Sequence, residues 1–268
     1  MPNSPRRRAV GSAPAALALV AAIGLAACAA PSLRTAGPPM SPQEVYSSLL
    51  GRNAGLSSVR AVAEVRISFG GRDVSLPGVL LLDASGGFRL DLLDPLDRPL
   101  TMLFVENGRI VQYRPAQGLA ASLGVFPAEC RGVAPGDWVK AVIASSLGPV
   151  AGERLRVRGL WGGERSLERY RGGALWQSVR YREEDGGLVP RLYSWYCAEE
   201  TVLQLRLREW VGDSGGRLPS RIEIDYPKAG LAVRIELREV ERNPPPTGQP
   251  LSPRLGSDVR WTTWNLPR

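Results

Sequence analysis

From Val59 onward the chain alternates apolar and polar residues with a period of two. Ala61, Val65, Ile67 and Phe69 interleave with Glu64, Arg66 and Ser68, and Phe88, Leu90 and Leu92 with Arg89 and Asp91. In extended backbone this period collects the apolar side chains on one face, so it predicts half-buried antiparallel strands. Similar stretches run over Leu155–Trp161, Leu175–Tyr181, Leu203–Leu207, Arg221–Tyr226 and Leu231–Leu237. Six Gly-Gly pairs, at 70–71, 86–87, 162–163, 172–173, 186–187 and 215–216, punctuate them, and Asn107-Gly108 separates Phe104-Val105 from Ile110-Val111. Such turn residues accept the positive φ of tight hairpins, so a meander of about ten strands is expected.

Two segments depart from this period. Ser41-Pro42-Gln43-Glu44 has the order of a helix start, with Ser41 as N-cap, Pro42 in the first turn and Glu44 closing a capping box, and Val45, Leu49 and Leu50 follow on one side. Later, Asp137 to Leu147 reads as an apolar helix that Asp137 caps and Gly148 ends. No shift of composition marks a linker, so residues 41–268 are expected to form a single domain, with a Pro-rich loop over 243–258 and a final strand over Val259–Leu266. The fold class predicted is mainly β (α+β), a single curved antiparallel sheet with two or three helices. Apolar runs at 79–82, 100–105 and 203–207 need cover. A sheet partly closed over a helix, with space for an apolar guest, meets that need; so does a fully packed sandwich core, and the pattern leaves both open.

Composition removes most catalytic readings. The 268 residues include no histidine, which excludes Ser-His-Asp and Cys-His machinery, an HExxH zinc site and a histidine general base. Gly212-Asp213-Ser214-Gly215-Gly216 has the spelling found around a serine-protease nucleophile, but with no base to activate Ser214 it reads as a hairpin turn. Glu223 and Asp225 project from one strand face, where their alternation with Ile222, Ile224 and Tyr226 suits a solvated surface, and Glu183-Glu184-Asp185 reads as a charged turn. Neither cluster has metal-ligand spacing, so no metal, no cofactor and no catalytic residue is expected. The formal net charge is +8, and no Arg-rich block interleaves with aromatics, so no nucleic-acid partner is expected.

The N-terminus changes the picture more. Arg6, Arg7 and Arg8 precede an Ala- and Leu-rich stretch from Ala9 to Ala27, the order of a signal peptide over residues 1–27. Leu25-Ala26-Ala27-Cys28 resembles the lipobox of bacterial lipoproteins, which implies a covalent lipid on Cys28, and residues 28–40 then read as lipidated cysteine and tether. In such lipoproteins of enteric bacteria an Asp after the cysteine retains the protein in the inner membrane; Ala29 stands there, so anchoring in the outer membrane facing the periplasm is expected. Cys130 and Cys197 are candidates for a disulfide in an oxidising envelope, two free thiols being the alternative.

The stretch Phe88-Arg89-Leu90-Asp91-Leu92-Leu93-Asp94-Pro95-Leu96-Asp97-Arg98-Pro99-Leu100 resembles the LolA/LolB-like lipoprotein carriers and receptors, in which an R-L-x-L strand runs into a P-L-G loop. The Trp138-bearing helix, Leu218-Pro219-Ser220-Arg221-Ile222 and the alternation from Leu231 to Leu237 before Asn243-Pro244 follow in the same order. The resemblance implies an incomplete β-barrel with helices as a lid and an apolar interior for acyl chains. It places Leu96 at the membrane-touching leucine of the loop, Trp138 in the lid, and Leu100 and Met102 in the lipid-binding or insertion region. Asp97 stands where the family has Gly. The function implied is a non-enzymatic, outer-membrane-anchored lipoprotein that binds acyl chains of lipoproteins or lipids and assists their transfer or insertion. Its partners would be acylated lipoproteins or phospholipids, the outer membrane and a periplasmic LolA-like carrier. A non-catalytic assembly lipoprotein using the same fold to bind an envelope protein complex is the alternative.

Overall fold

In the computed structural model, which describes residues 40–53, 55–106, 109–124, 136–143, 152–184, 187–213, 216–245 and 250–265, the alternating stretches become strands of one sheet. The strands are β1 (Ser58–Phe69), β2 (Arg72–Asp83), β3 (Phe88–Leu93), β4 (Pro99–Glu106), β5 (Arg109–Arg114), β6 (Leu119–Gly124) and β7 (Arg154–Gly159). They continue with β8 (Arg165–Arg171), β9 (Ala174–Glu184), β10 (Gly187–Cys197), β11 (Glu200–Asp213), β12 (Gly216–Tyr226), β13 (Leu231–Arg242) and β14 (Arg260–Asn265). The order across the sheet is β14-β6-β5-β4-β3-β2-β1-β13-β12-β11-β10-β9-β8-β7. Two meanders, β1 to β6 and β7 to β13, are thus joined where β1 pairs with β13. Neighbours are antiparallel except at one edge, where β14 pairs with β6 in parallel, so the expected purely antiparallel sheet is corrected there. All the described residues fall in one compact unit, Met40–Arg268.

Two of the glycine pairs close hairpins as expected. Gly70-Gly71 and Gly172-Gly173 take positive φ at both positions and close two-residue hairpins. Asp213 pairs with Gly216, so the GDSGG stretch joins β11 to β12, while Ser214 and Gly215 lie outside the described residues. Glu223 meets Arg208 at 3.4 Å and Arg234 at 3.6 Å on the polar face, a cross-strand charge ladder rather than a catalytic pair.

Helix α1 (Pro42–Gly51) starts as predicted. The Ser41 side chain accepts the Glu44 amide at 3.2 Å, and the Glu44 carboxylate accepts the Ser41 amide at 2.6 Å. Its buried residues Val45, Tyr46 and Leu49 face the sheet, and it touches β10, β7 and β8. Helix α2 is described over Asp137–Ile143, where the sequence predicts helix to Leu147, and it packs on β2 and β12. Strands far apart in the sheet order therefore meet two neighbouring helices, which requires the sheet to curl around them. The result is the expected incomplete barrel, an open curved sheet with helices against its apolar face.

The main core holds Val59, Val65, Leu80, Leu90, Leu203, Leu205, Leu207, Ile222 and Ile235 from the strands, with Trp138, Val139 and Ile143 from α2. A second, smaller cluster lies on the other face of β4 to β6, around Phe104, Val111 and Ala120. There Leu255 and Val259 of the C-terminal segment cover the sheet, and the Pro250 carbonyl accepts the Arg89 guanidinium at 3.0 Å. The Pro-rich segment is thus partly a strap over the outer face.

Candidate functional site

Two places stand out, the tip of the β3–β4 hairpin and the polar interior beneath α1. At the tip, Asp94 organises the loop. Its Oδ1 accepts the amides of Leu96 at 2.8 Å and Arg98 at 3.0 Å, and Arg98 Nε donates to its Oδ2 at 2.9 Å. These hydrogen bonds, Arg98's first, hold the Asp94 carboxyl below the usual carboxylate range. The ordered loop presents Leu96 to solvent at 70% exposure, with Leu100 at 48%. Asp97 has φ +58°, the left-handed conformation that Gly adopts freely and Asp tolerates. That explains how an Asp stands at the Gly position of the P-L-G pattern. Asp97→Gly is expected to keep the fold and raise stability by up to about 1 kcal/mol in urea unfolding; a loss would mean that the Asp97 carboxylate makes a contact of its own.

The other predicted residues separate. Met102 pairs with Asp91 and Tyr113 across the sheet and joins the outer cluster, so it lies on the opposite face from Leu90 and Leu92. Trp138 is buried, with its ring 5.0 Å from that of Phe88, and anchors α2 to the core. Cys197, at the end of β10, is disulfide-bonded. Cys130 and Cys28 lie outside the described residues, as does the segment before Met40.

Beneath α1 the interior is polar and charged, which the alternation pattern did not reveal. Glu153 is almost wholly buried and accepts Arg169 Nη2 at 2.6 Å, Arg169 Nε at 3.1 Å and Arg171 Nη2 at 2.8 Å. Arg169 Nη1 donates to Gln177 Oε1 at 2.8 Å. Flat rings sandwich these cations: Arg169 lies 4.5 Å from the Trp176 ring and 5.1 Å from Tyr46, and Arg171 lies 4.3 Å from Trp176. A cavity of about 20 Å³, lined by Tyr46, Leu49, Lys140, Arg169, Gln177 and Tyr193 among others, opens beside this cluster. It has room for about one water molecule, against the roughly 300–1,000 Å³ of a ligand pocket. Among the described residues the interior beneath α1 is therefore closed in this conformation, and a guest chain enters there only if a helix moves away from the sheet.

Further along α1, its C-cap residue Arg52 stacks on Trp210 with 3.9 Å between guanidinium carbon and ring centroid. Nothing in the sequence singled out Arg52, Glu153 or Arg169.

No family model and no curated protein matches this sequence. Solved structures do resemble it. A domain assigned to outer membrane lipoprotein sorting, from Vibrio parahaemolyticus, is 12% identical over 78% of this chain and 95% of that chain, with a TM-score of 0.51. A DUF1329 family protein from Desulfovibrio piger is 14% identical over 76% of this chain and 94% of its own, also at 0.51. A LolA superfamily protein from Nitrosomonas europaea is 12% identical over 78% and 97%, at 0.49. At such identities the likeness is one of fold alone, an open curved sheet that closes into an incomplete barrel.

Proposed function

We propose that this chain, built on the LolA-like fold, is a non-enzymatic lipoprotein that is anchored in the outer membrane through a lipid on Cys28, faces the periplasm, binds acyl chains of lipoproteins or phospholipids and assists their transfer or insertion. The observation that carries this reading is the ordered, solvent-exposed Leu96–Leu100 tip at one end of a sheet whose inner face is apolar and covered by two short helices. An exposed leucine held by a rigid loop loses apolar surface only on meeting a lipid or an apolar partner. The alternating pairing puts the 70–71 and 115–118 turns at the same end, where Arg72 and Arg114 are exposed beside it and suit an anionic surface. Acyl chains would enter the interior as α1 swings out, driven by about 0.8 kcal/mol per buried CH₂. A periplasmic LolA-like carrier is the natural donor.

Leu96→Glu is expected to abolish delivery of an acylated lipoprotein to acceptor vesicles of outer-membrane lipid without lowering the urea midpoint, because the side chain is exposed and makes no core contact. Delivery unchanged by this variant would remove Leu96 from the mechanism.

The filled interior also favours a second reading, an assembly lipoprotein that binds an envelope protein. Native mass spectrometry of Cys28→Ala protein separates the two. Co-purifying or added lipid in the complex supports transfer; protein that stays lipid-free in the presence of added lipid supports assembly, with the open edge of β7 as the contact surface.

A further inference from the structure

Arg52 is the least accounted-for group among the described residues. Its Nε, Nη1 and Nη2 are all shut off from solvent, and none has a hydrogen-bond partner. The Trp210 indole N–H beneath it is likewise buried without an acceptor, and so is the carbonyl oxygen of Asn53 without a donor. Asn53 itself is held in place, donating through Nδ2 to the Arg217 carbonyl at 3.1 Å. Burial lowers the Arg52 guanidinium to about 10, and the ionisable neighbour acting on it is Tyr193, which is neutral at ordinary pH. A buried guanidinium without a counter-charge costs several kcal/mol. The stack on Trp210 offsets part of this, about 2 kcal/mol when desolvated. Among the described residues no carboxylate balances the rest: Glu153 is shared by Arg169 and Arg171, and Glu209 is engaged by Arg221 at 3.1 Å.

Two adjacent donors of this kind, one of them a planar five-donor fork, match the oxygens of a phosphodiester. The surroundings say what that group is attached to. Leu49, Leu50, Trp210 and Tyr193 line or pack on the apolar core directly beside the cation, so an occupant has its charge at Arg52 and its apolar part inward. We propose that Arg52, with the Trp210 N–H, binds the phosphodiester of an anionic glycerophospholipid whose acyl chains occupy the interior beneath α1. This deepens the acyl-chain reading and rests on it. It selects phospholipid over the uncharged diacylglyceryl group of a lipoprotein anchor. The site lies at the end of the sheet opposite the Leu96 tip, because α1 leads into the first residue of β1 whereas the 94–98 loop follows the last residue of β3.

The test is displacement of an apolar fluorescent probe from Cys28→Ala protein by dilauroyl phosphatidylglycerol and by dilauroylglycerol, which share acyl chains and differ in the phosphate. The wild-type pocket is expected to prefer the phospholipid by about ten- to a hundredfold, the range of charge-assisted hydrogen bonds. Arg52→Met should bring the two lipids to within about twofold by weakening displacement by the phospholipid, and Arg52→Lys should keep part of the preference. Circular dichroism confirms that each variant is folded. Equal displacement by both lipids in the wild type, or a preference that survives Arg52→Met, overturns the assignment and leaves the acyl-chain reading standing. Displacement by neither lipid overturns both. Quenching of tryptophan fluorescence by inorganic phosphate, lost in Arg52→Met and accompanied by no lipid preference, would make the site one for a free anion and overturn the lipid assignment.

Discussion

Glu153→Ala is expected to destabilise the protein by about 3–5 kcal/mol, read as a fall in the urea midpoint with the slope unchanged. The carboxylate is 2% exposed and sits between two guanidiniums, bridging Arg169 from β8 through two nitrogens and Arg171 through one. Its removal leaves two like charges facing each other without the carboxylate that bridges them, although Gln177 still accepts Arg169 Nη1. Arg169, itself 1% exposed, cannot turn to water, because it is stacked between Tyr46 and Trp176. Replacing the pair together, Glu153→Leu with Arg169→Leu, should recover most of the loss, since apolar groups of similar volume need no counter-charge. A single-variant cost below about 1 kcal/mol would show that the ion cluster is hydrated, as surface pairs are.

The same contrast explains what the sequence discloses. Strands with one wet face, such as β1, β12 and β13, alternate cleanly and are legible from period alone. Strand β10 is not, because Leu188, Val189 and Pro190 are buried in succession, as are Tyr193, Ser194 and Trp195. Pro190 argues against a strand, yet it stands at a register shift against β9, where its missing N–H costs no ladder hydrogen bond. Strand β8 hides for a different reason: Ser166, Glu168 and Arg169 are buried polar residues, Glu168 meeting Tyr170 of the same strand and Arg169 meeting Glu153 and Gln177. The parallel pairing of β14 on β6 depends on where a Pro-rich strap returns, and no local period encodes that. These omissions turn an expected ten or so strands into fourteen.

The candidate site divides along the same line. Leu96 and Leu100 follow from the likeness of one hairpin to a family pattern, and their exposure agrees with it. The resemblance puts Met102 in the same region, but a strand sends alternate residues to opposite faces, and Met102 falls on the outer one with Asp91. Arg52 looks like an ordinary cation at the end of a helix. Only burial of all three guanidinium nitrogens distinguishes it, and burial is a property of the assembled barrel.

That interior also sets the response to alkali. The Tyr46 hydroxyl is pushed up to about 12, mainly by burial and against the pull of Arg169, and burial likewise raises Tyr181, Tyr193 and Tyr226. The Tyr46 oxygen has no hydrogen-bond donor that would stabilise a phenolate, while Arg165 pulls Tyr181 down against burial. The folded protein therefore binds these protons more tightly than the unfolded chain, whose tyrosines titrate near 10. The stability they contribute is complete below pH 10 and is lost as pH rises through the folded values. Arg52 acts in the opposite sense. Lowered to about 10 from its ordinary 12.5, it loses its proton more readily when folded, so its penalty fades as pH rises through that window. Four tyrosines against one arginine make the net effect destabilising: the urea midpoint should fall steeply between about pH 9.5 and 11.5, with the phenolate absorbance of these four of the seven tyrosines appearing together with unfolding rather than before it. Arg52→Met should be more stable than wild type at pH 8, by about 1–2 kcal/mol, because an uncompensated charge is exchanged for apolar volume. Its midpoint should then fall more steeply with pH, because the opposing relief is gone. Phenolate absorbance equivalent to all seven tyrosines near pH 10 in the still-folded protein would show that the buried four reach water, and with it that the interior beneath α1 is open.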